Sequence, residues 1–218
     1  MTTHGPAERL LKDLEIIPET SDSEILYTLS ESVSDSEINL RQDSSTGVLF
    51  LDHVYSSAYD CTGEVNGCAV HMQRKLDNFV NWVDRRFLNG IILIVGPNLN
   101  YDKFLTDNNR VEHVLPTDVD IVDYSRYDQA FVIDSVGRNP DPMHMLKSIL
   151  YKLKIGGRVA AVEFSSKDFL EEELITADRY IIHTNKSLEK ILRICKYDQV
   201  LSYNMEHAKC LVSEGISL

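Results

Sequence analysis

The chain has 218 residues, 43% hydrophobic and 26% charged, and 34 acids against 22 bases give a formal net charge of −12. This suits a single sizeable core plus an appendage, and it argues against nucleic acid as a ligand, because phosphate binding needs a basic surface. No stretch approaches the ~18 consecutive apolar residues of a membrane span.

The N-terminal MTTHGPAERL has no apolar signal core. Cys61, Cys68, Cys195 and Cys210 form no C-x-x-C pair and no zinc spacing, so no metal site is predicted. The expectation is a soluble, intracellular, cytoplasmic protein with free thiols, the nucleus remaining open.

Residues 1–46 form an acidic, Ser/Asp-rich extension, and 47–218 the main domain. The pentapeptide Ser-Asp-Ser-Glu-Ile occurs at 21–25 and again at 34–38. Pairing Ser21 with Glu24 and Ser34 with Glu37 gives two capping boxes, predicting short helices in a helical or irregular extension. The same serines among acids also suit a protein-docking arm or a phosphorylation segment.

GVLFLDHVY at 47–55 reads as a short strand or the start of a buried helix. Val70, Leu76, Phe79, Val83 and Phe87 recur at helical spacing, predicting a helix over 70–87 that ends at Asn89-Gly90. Gly90 to Val95 is a continuous apolar run, the mark of a strand buried on both faces. A short helix is predicted near 101–108. Val111–Leu115 and Gln129–Ile133 are further strands. Met143–Leu153 is a helix stopped by Gly156-Gly157, and Arg158–Phe164 another strand. Helical segments follow from Ser166 and over 187–197. Residues 199–203 and 208–212 read as a closing antiparallel pair. Strands alternating with helices indicate an α/β fold with a mostly parallel sheet.

The segment YDQAFVIDSVGRNPDPMHMLKSILYKLKIGGRVAAVEF, 127–164, resembles the second half of class I S-adenosylmethionine (SAM) methyltransferases. Tyr127-Asp128 stands where that family opens its fourth strand with an aromatic-Asp pair, and Lys152 to Arg158 stands at its Gly-Gly-Arg turn. The resemblance covers roughly 70–218. It implies a Rossmann-like sheet flanked by helices and closed by a β-hairpin, with SAM as cofactor and a small molecule or protein as methyl acceptor.

The cofactor loop would be Val95-Gly96-Pro97-Asn98-Leu99-Asn100. Here one glycine remains of a glycine-rich pattern, and no acid precedes it. By position the resemblance implies cofactor contacts from Gly96, Pro97, Asn98, Asn100, Asp134 and Ser135. Asp134 and His144 are the candidate general bases. Only about thirty residues separate Gly96 from Asp128, an interval where the family fits two βα units. If Val111–Leu115 is the family's second strand, Asp118 is the ribose ligand. If it is the third, Asp118 or Asp120 lies near the adenine. Asn98 tolerates left-handed geometry, while Pro97 fixes φ and removes a donor. Three functions fit these residues: a methyltransferase, a catalytically inactive methyltransferase-like partner or regulator, and another α/β metabolite binder.

Overall fold

A computed structural model describes residues 23–30, 37–44, 48–51, 67–83, 88–139, 141–164, 181–205 and 210–217. Ser21, Ser34, His53, Tyr55, Tyr59, Cys61 and the segment from Ser166 lie outside these residues.

The central element is β4 (Gly90–Val95), whose apolar run divides between two cores. Ile92 and Ile94 point to one face and Leu93 and Val95 to the other, all fully buried. On its two sides lie β5 (Asn109–Val114) and β6 (Tyr127–Ile133), both parallel to it. The next strand, β7 (Leu153–Phe164), is parallel to β6, and the antiparallel pair β9 (Asp198–Met205) and β10 (Cys210–Ile216) completes the sheet. The order is β5-β4-β6-β7-β10-β9. This is the mostly parallel sheet with a closing hairpin read from the sequence. The strand at 111–115 sits directly beside β4, which is the second-strand position, and among the described residues no strand lies beyond it.

One face is covered by α1 (Gly67–Trp82), where Met72, Leu76, Phe79 and Val80 pack on Ile92, Ile94, Phe131 and Ala160. Phe79, Phe104 and Phe131 meet at ring-centroid distances of 5.1 to 6.4 Å, two of the three pairs edge-on. The opposite face carries α2 (Pro142–Lys152) and α3 (Asn185–Ile194), through Met145, Leu146, Ile149, Leu188 and Ile191.

Several expectations are corrected. The N-terminal segment holds strands in place of the two predicted helices: β1 (Ser23–Ser30) and β2 (Glu37–Asp43) pair antiparallel. Through β3 (Leu49–Leu51) they join β8 (Ile181–Ile182) in a second, four-stranded sheet. The residues after each pentapeptide explain this, since Ile38-Asn39-Leu40-Arg41 alternates with the period of a strand. Val48 and Phe50 are buried in the core that contains Val136, Met145 and Leu188, so the second sheet is anchored to the main one.

Helix α1 ends at Trp82, and Gly90 opens β4 instead of closing that helix. The helix expected near 101–108 shrinks to a 3-10 turn, Asp102–Phe104. Helix α2 stops at Lys152, and Gly156 and Gly157 fall within the irregular start of β7.

Asp128 ties the strand starts together. Its Oδ2 accepts from Ile91 N at 2.8 Å, and its Oδ1 accepts from Lys154 Nζ at 2.8 Å. Gly90 has φ +75°, and a Cβ there would lie 2.3 Å from Asp128 Oδ2. Gly90→Ala should therefore cost about 1–3 kcal/mol of stability, from left-handed strain and the displaced carboxylate. Urea unfolding measures this, and an unchanged midpoint would show that Asp128 does not constrain this turn.

Candidate active site

Ligands of open α/β sheets bind beyond the carboxyl ends of the strands, where the strand order reverses. Here the reversal lies between β4 and β6: the chain steps from β4 outward to β5, then returns to β6 on the other side. Val95 and Val132 are register partners, so the loop from Gly96 and the segment from Asp134 leave the sheet side by side.

The loop is held by the chain's own side chains. Gly96 N donates to Val114 O at 3.2 Å, and the Gly96 carbonyl accepts from His113 Nε2 at 3.0 Å. Tyr101 Oη donates to Pro97 O at 2.7 Å, and its ring lies 4.7 Å from the His113 ring. An added Cβ on Gly96 would fall 2.6 Å from Tyr101 Oη and 3.2 Å from Ile133 Cβ, so Tyr101 fills the space that the missing side chain leaves. Burial and then the nearby Asp134 charge push the Tyr101 phenol well above its usual range, so it stays a donor.

From α1, the Gln73 amide bonds both ways to Asn100: Nε2 donates to the carbonyl at 2.9 Å and Oε1 accepts from the amide at 2.8 Å. Asn100 Oδ1 accepts from Asp102 N and opens the 3-10 turn. The Asn98 and Asn100 side chains face solvent.

Asp134 is 0% exposed, has φ +45°, and its N–H donates to Val162 O at 2.7 Å. Its carboxylate meets Arg138 Nε at 2.8 Å, and Arg138 also approaches Met72 Sδ at 3.9 Å. A positive φ in a buried non-glycine residue persists only where its surroundings over-determine it, and this ion pair is part of that constraint. Ser135 turns its hydroxyl inward to Ile133 O at 2.7 Å, and Val136 N is taken by buried Glu163 at 2.8 Å.

Asp118 lies in the 3-10 turn Pro116–Ile121, just past β5, half-buried, with Thr117 Oγ1 at 3.3 Å. His144 stands in the first turn of α2, capped by Asp141. Its Nε2 meets Asp120 Oδ2 at 2.9 Å, and Ser148 Oγ donates to Asp120 Oδ1 at 2.6 Å.

The structure thus gathers Gly96, Pro97, Asn98, Asn100, Asp134 and Ser135 at one edge. Asp118 stands at the end of the adjoining strand, and His144 is engaged with Asp120. Sequence reasoning missed Gln73, Tyr101, His113 and Arg138. Arg138 four residues after Asp134 was the one local signal; the others depend on elements that meet only in the fold.

No protein-family model matches the sequence, and no curated protein matches it. Among solved structures, PigF with bound S-adenosylhomocysteine superposes with a TM-score of 0.52 at 14% identity, over 69% of this chain and 56% of that one. This chain therefore spans a little over half the length of that protein. Burkholderia thailandensis 1,6-didemethyltoxoflavin-N1-methyltransferase gives a TM-score of 0.49 at 16% identity, over 80% and 96% of the two chains. Human N-acetylserotonin methyltransferase with SAM gives 0.48 at 9%, over 68% and 55%. The first match shows that the fold is that of the class I SAM methyltransferases.

Two predictions follow from the ion pairs. Arg138→Met should remove the cation paired with the buried Asp134 carboxylate and cost about 3 kcal/mol or more at neutral pH, and adding Asp134→Asn should recover most of that loss. Chemical denaturation of the single and double variants measures both, and additive losses would mean that the two residues do not act as a pair.

The hydrogen bond to Asp120 raises His144 above its ordinary 6.5, while Ser148 and then His144 hold Asp120 below 3.8. The stabilisation from His144 is complete below pH 6.5 and is lost as pH rises through its raised value. That from Asp120 is present above pH 3.8 and is lost as pH falls through its lowered value. An NMR titration should place His144 above 6.5, and Asp120→Asn should return it toward that value.

Proposed function

We propose that this chain is a SAM-dependent methyltransferase-like protein that seats SAM across the carboxyl ends of β4, β5 and β6. The observation that carries this reading is the side-by-side exit of the 96–100 loop and the 134–138 segment at the strand-order reversal.

The residues fit that cofactor by position and donor type. Asn98 and Asn100 offer exposed side-chain amides, and the backbone of Pro97 and Asn100 is fixed by Tyr101 and Gln73. Asp118 offers a carboxylate beyond the neighbouring strand, where a ribose would be recognised. Gly96 itself is shielded by Tyr101, so cofactor contacts begin at Pro97. When bound, SAM supplies an electrophilic methyl group. The chain's contribution is alignment and exclusion of water by the packed Tyr101, Met72 and Val136. Asp134 is committed to Arg138, so an acceptor whose nucleophile needs no proton removed by a buried carboxylate suits the site best. With a net charge of −12, a small molecule or a protein is a better acceptor than a nucleic acid. Cysteines without paired spacing go with an intracellular, cytoplasmic setting.

The Asp134–Arg138 pair also favours a second reading: a catalytically inactive methyltransferase-like domain that binds or regulates another protein, with the N-terminal segment as its contact arm.

Calorimetric titration with SAM and with S-adenosylhomocysteine separates the two. Micromolar binding, weakened at least tenfold by Asn98→Trp at the exposed loop tip (roughly 1.4 kcal/mol), supports the cofactor seat. Binding that Asn98→Trp leaves unchanged removes the loop from the site. A folded protein that binds neither compound overturns the cofactor seat and favours the partner reading.

A further inference from the structure

The 3-10 turn Pro116–Ile121 carries two carboxylates with different surroundings. Asp118, half-buried just past the end of β5, belongs to the proposed cofactor seat. Asp120 is turned to α2 instead. His144, Ser148 and Lys152 follow one another there at intervals of four, so they share one face of the helix. All three hold the same residue of the turn. His144 Nε2 meets Asp120 Oδ2 at 2.9 Å, Ser148 Oγ donates to Oδ1 at 2.6 Å, and Lys152 Nζ donates to the Asp120 carbonyl at 3.1 Å.

This is more than the packing of the turn requires. Val119 is 2% exposed and sits in the core, and buried Lys152 also donates to Val122 O at 2.6 Å, so the depth of the turn is already fixed. The bonds to the Asp120 carboxylate add a hold on rotation of the turn about its axis. Successive residues of a 3-10 helix are roughly 120° apart, so Asp118 and Asp120 leave different sides of one short turn. Holding the direction of Asp120 therefore holds the direction of Asp118.

We infer that Asp120 is a positioning residue of the cofactor seat, gripped by His144 and Ser148 so that Asp118 presents its carboxylate to the ribose, and that the proton on His144 sets how firm the grip is. Asp118 as ribose ligand comes from the function proposed above, on which this role rests. With its proton His144 is a cation against an anionic carboxylate; without it the contact is a neutral hydrogen bond. Two other charges face the pair: Asp141, which caps α2 at His144 N, and Lys152 at the far end of the same helix face. The bond to Asp120 raises His144 above 6.5, and Asp120 is held below 3.8, so His144 is the member of the pair that changes charge near neutral pH. The seat is then firmest below the raised His144 value and loosens as pH rises through it. Both side chains are more than half exposed, so the effect is modest.

Calorimetric titration of the full chain with S-adenosylhomocysteine from roughly pH 5.5 to 8.5 tests this. Affinity should fall about two- to fivefold as His144 loses its proton. By reciprocity, the bound compound should move the NMR titration of His144 upward by about 0.3–0.7 pH unit. His144→Gln keeps a donor to Asp120 without the charge, and should bind with the high-pH affinity throughout. Asp120→Ala should weaken binding at least about threefold near pH 6. In an Asp118→Ala chain the same change should cost nothing further, because its effect passes through Asp118. Lys152 keeps its bond to the carbonyl of residue 120 in each variant, so each should fold. A flat pH profile overturns the positioning role while leaving the seat in place. So does a profile that survives His144→Gln, and so do losses from Asp118→Ala and Asp120→Ala that multiply. Absence of binding at every pH overturns the seat itself, and this role with it.

Discussion

The double-sided burial of β4 is the constraint on which the rest of the structure depends. A strand with no solvent face must be paired on both edges and covered on both faces, because its backbone groups have no other partners. The parallel pairing with β5 and β6 supplies the edges. Helix α1 supplies one cover, while α2 and α3 supply the other. Parallel neighbours on both sides of one strand also create the strand-order reversal, so the burial that stabilises β4 fixes where a ligand can lie. The site is placed by the hydrophobic core before any polar residue takes part.

The connections around β4 are unusually economical. In place of a helix between β4 and β5 there is a 3-10 turn with Phe104 driven into the core. A turn this short cannot satisfy its own backbone, and side chains do so instead. Asn109 Nδ2 donates to Phe104 O at 2.7 Å, and its Oδ1 accepts from Thr106 N at 2.9 Å. Gln73, Tyr101 and His113 do the same for the loop above it. Between β5 and β6, Lys152 is buried and donates to the carbonyls of Asp120 and Val122 at 3.1 and 2.6 Å, with Tyr124 stacked on its ammonium at 3.7 Å. Each shortened crossover thus carries its own polar staple, as burial of unpaired backbone groups demands.

Legibility in the sequence tracks these causes. The apolar run at 90–95, the stripe of α2 and the closing hairpin were readable because each is set by local periodicity. The position of the 109–114 strand was not, since a parallel strand's neighbour is chosen by the whole sheet and leaves no local mark. The N-terminal strands were misread because a Ser-x-x-Glu cap and a polar strand edge share residue types, and only the period of the residues that follow tells them apart. At the site, the loop and Asp134 could be found from the resemblance. The engagement of the loop could not, because Gln73 reaches it across 27 residues of chain; Arg138, four residues from Asp134, was the one partner within local reach.

The two functional readings meet at Asp134. A carboxylate at the end of a parallel strand, next to a glycine turn, sits where chemistry on a bound ligand would occur. Here it is buried, left-handed in its backbone and matched by Arg138, while Tyr101 beside it is kept neutral. Asp134 is thus matched by its own cation, while Glu163 places a second buried carboxylate at the same edge, where it accepts from Val136 N. In the loop beside it the Pro97 carbonyl, the Leu99 N–H and both backbone groups of Asn100 are likewise taken up within the chain. Freeing the Asp134 carboxylate for a proton transfer would break an ion pair in a dry environment, a cost of several kcal/mol. Direct displacement on an already nucleophilic acceptor avoids that cost, and so does binding without turnover. The ion pair selects against acid–base chemistry at Asp134 under either reading.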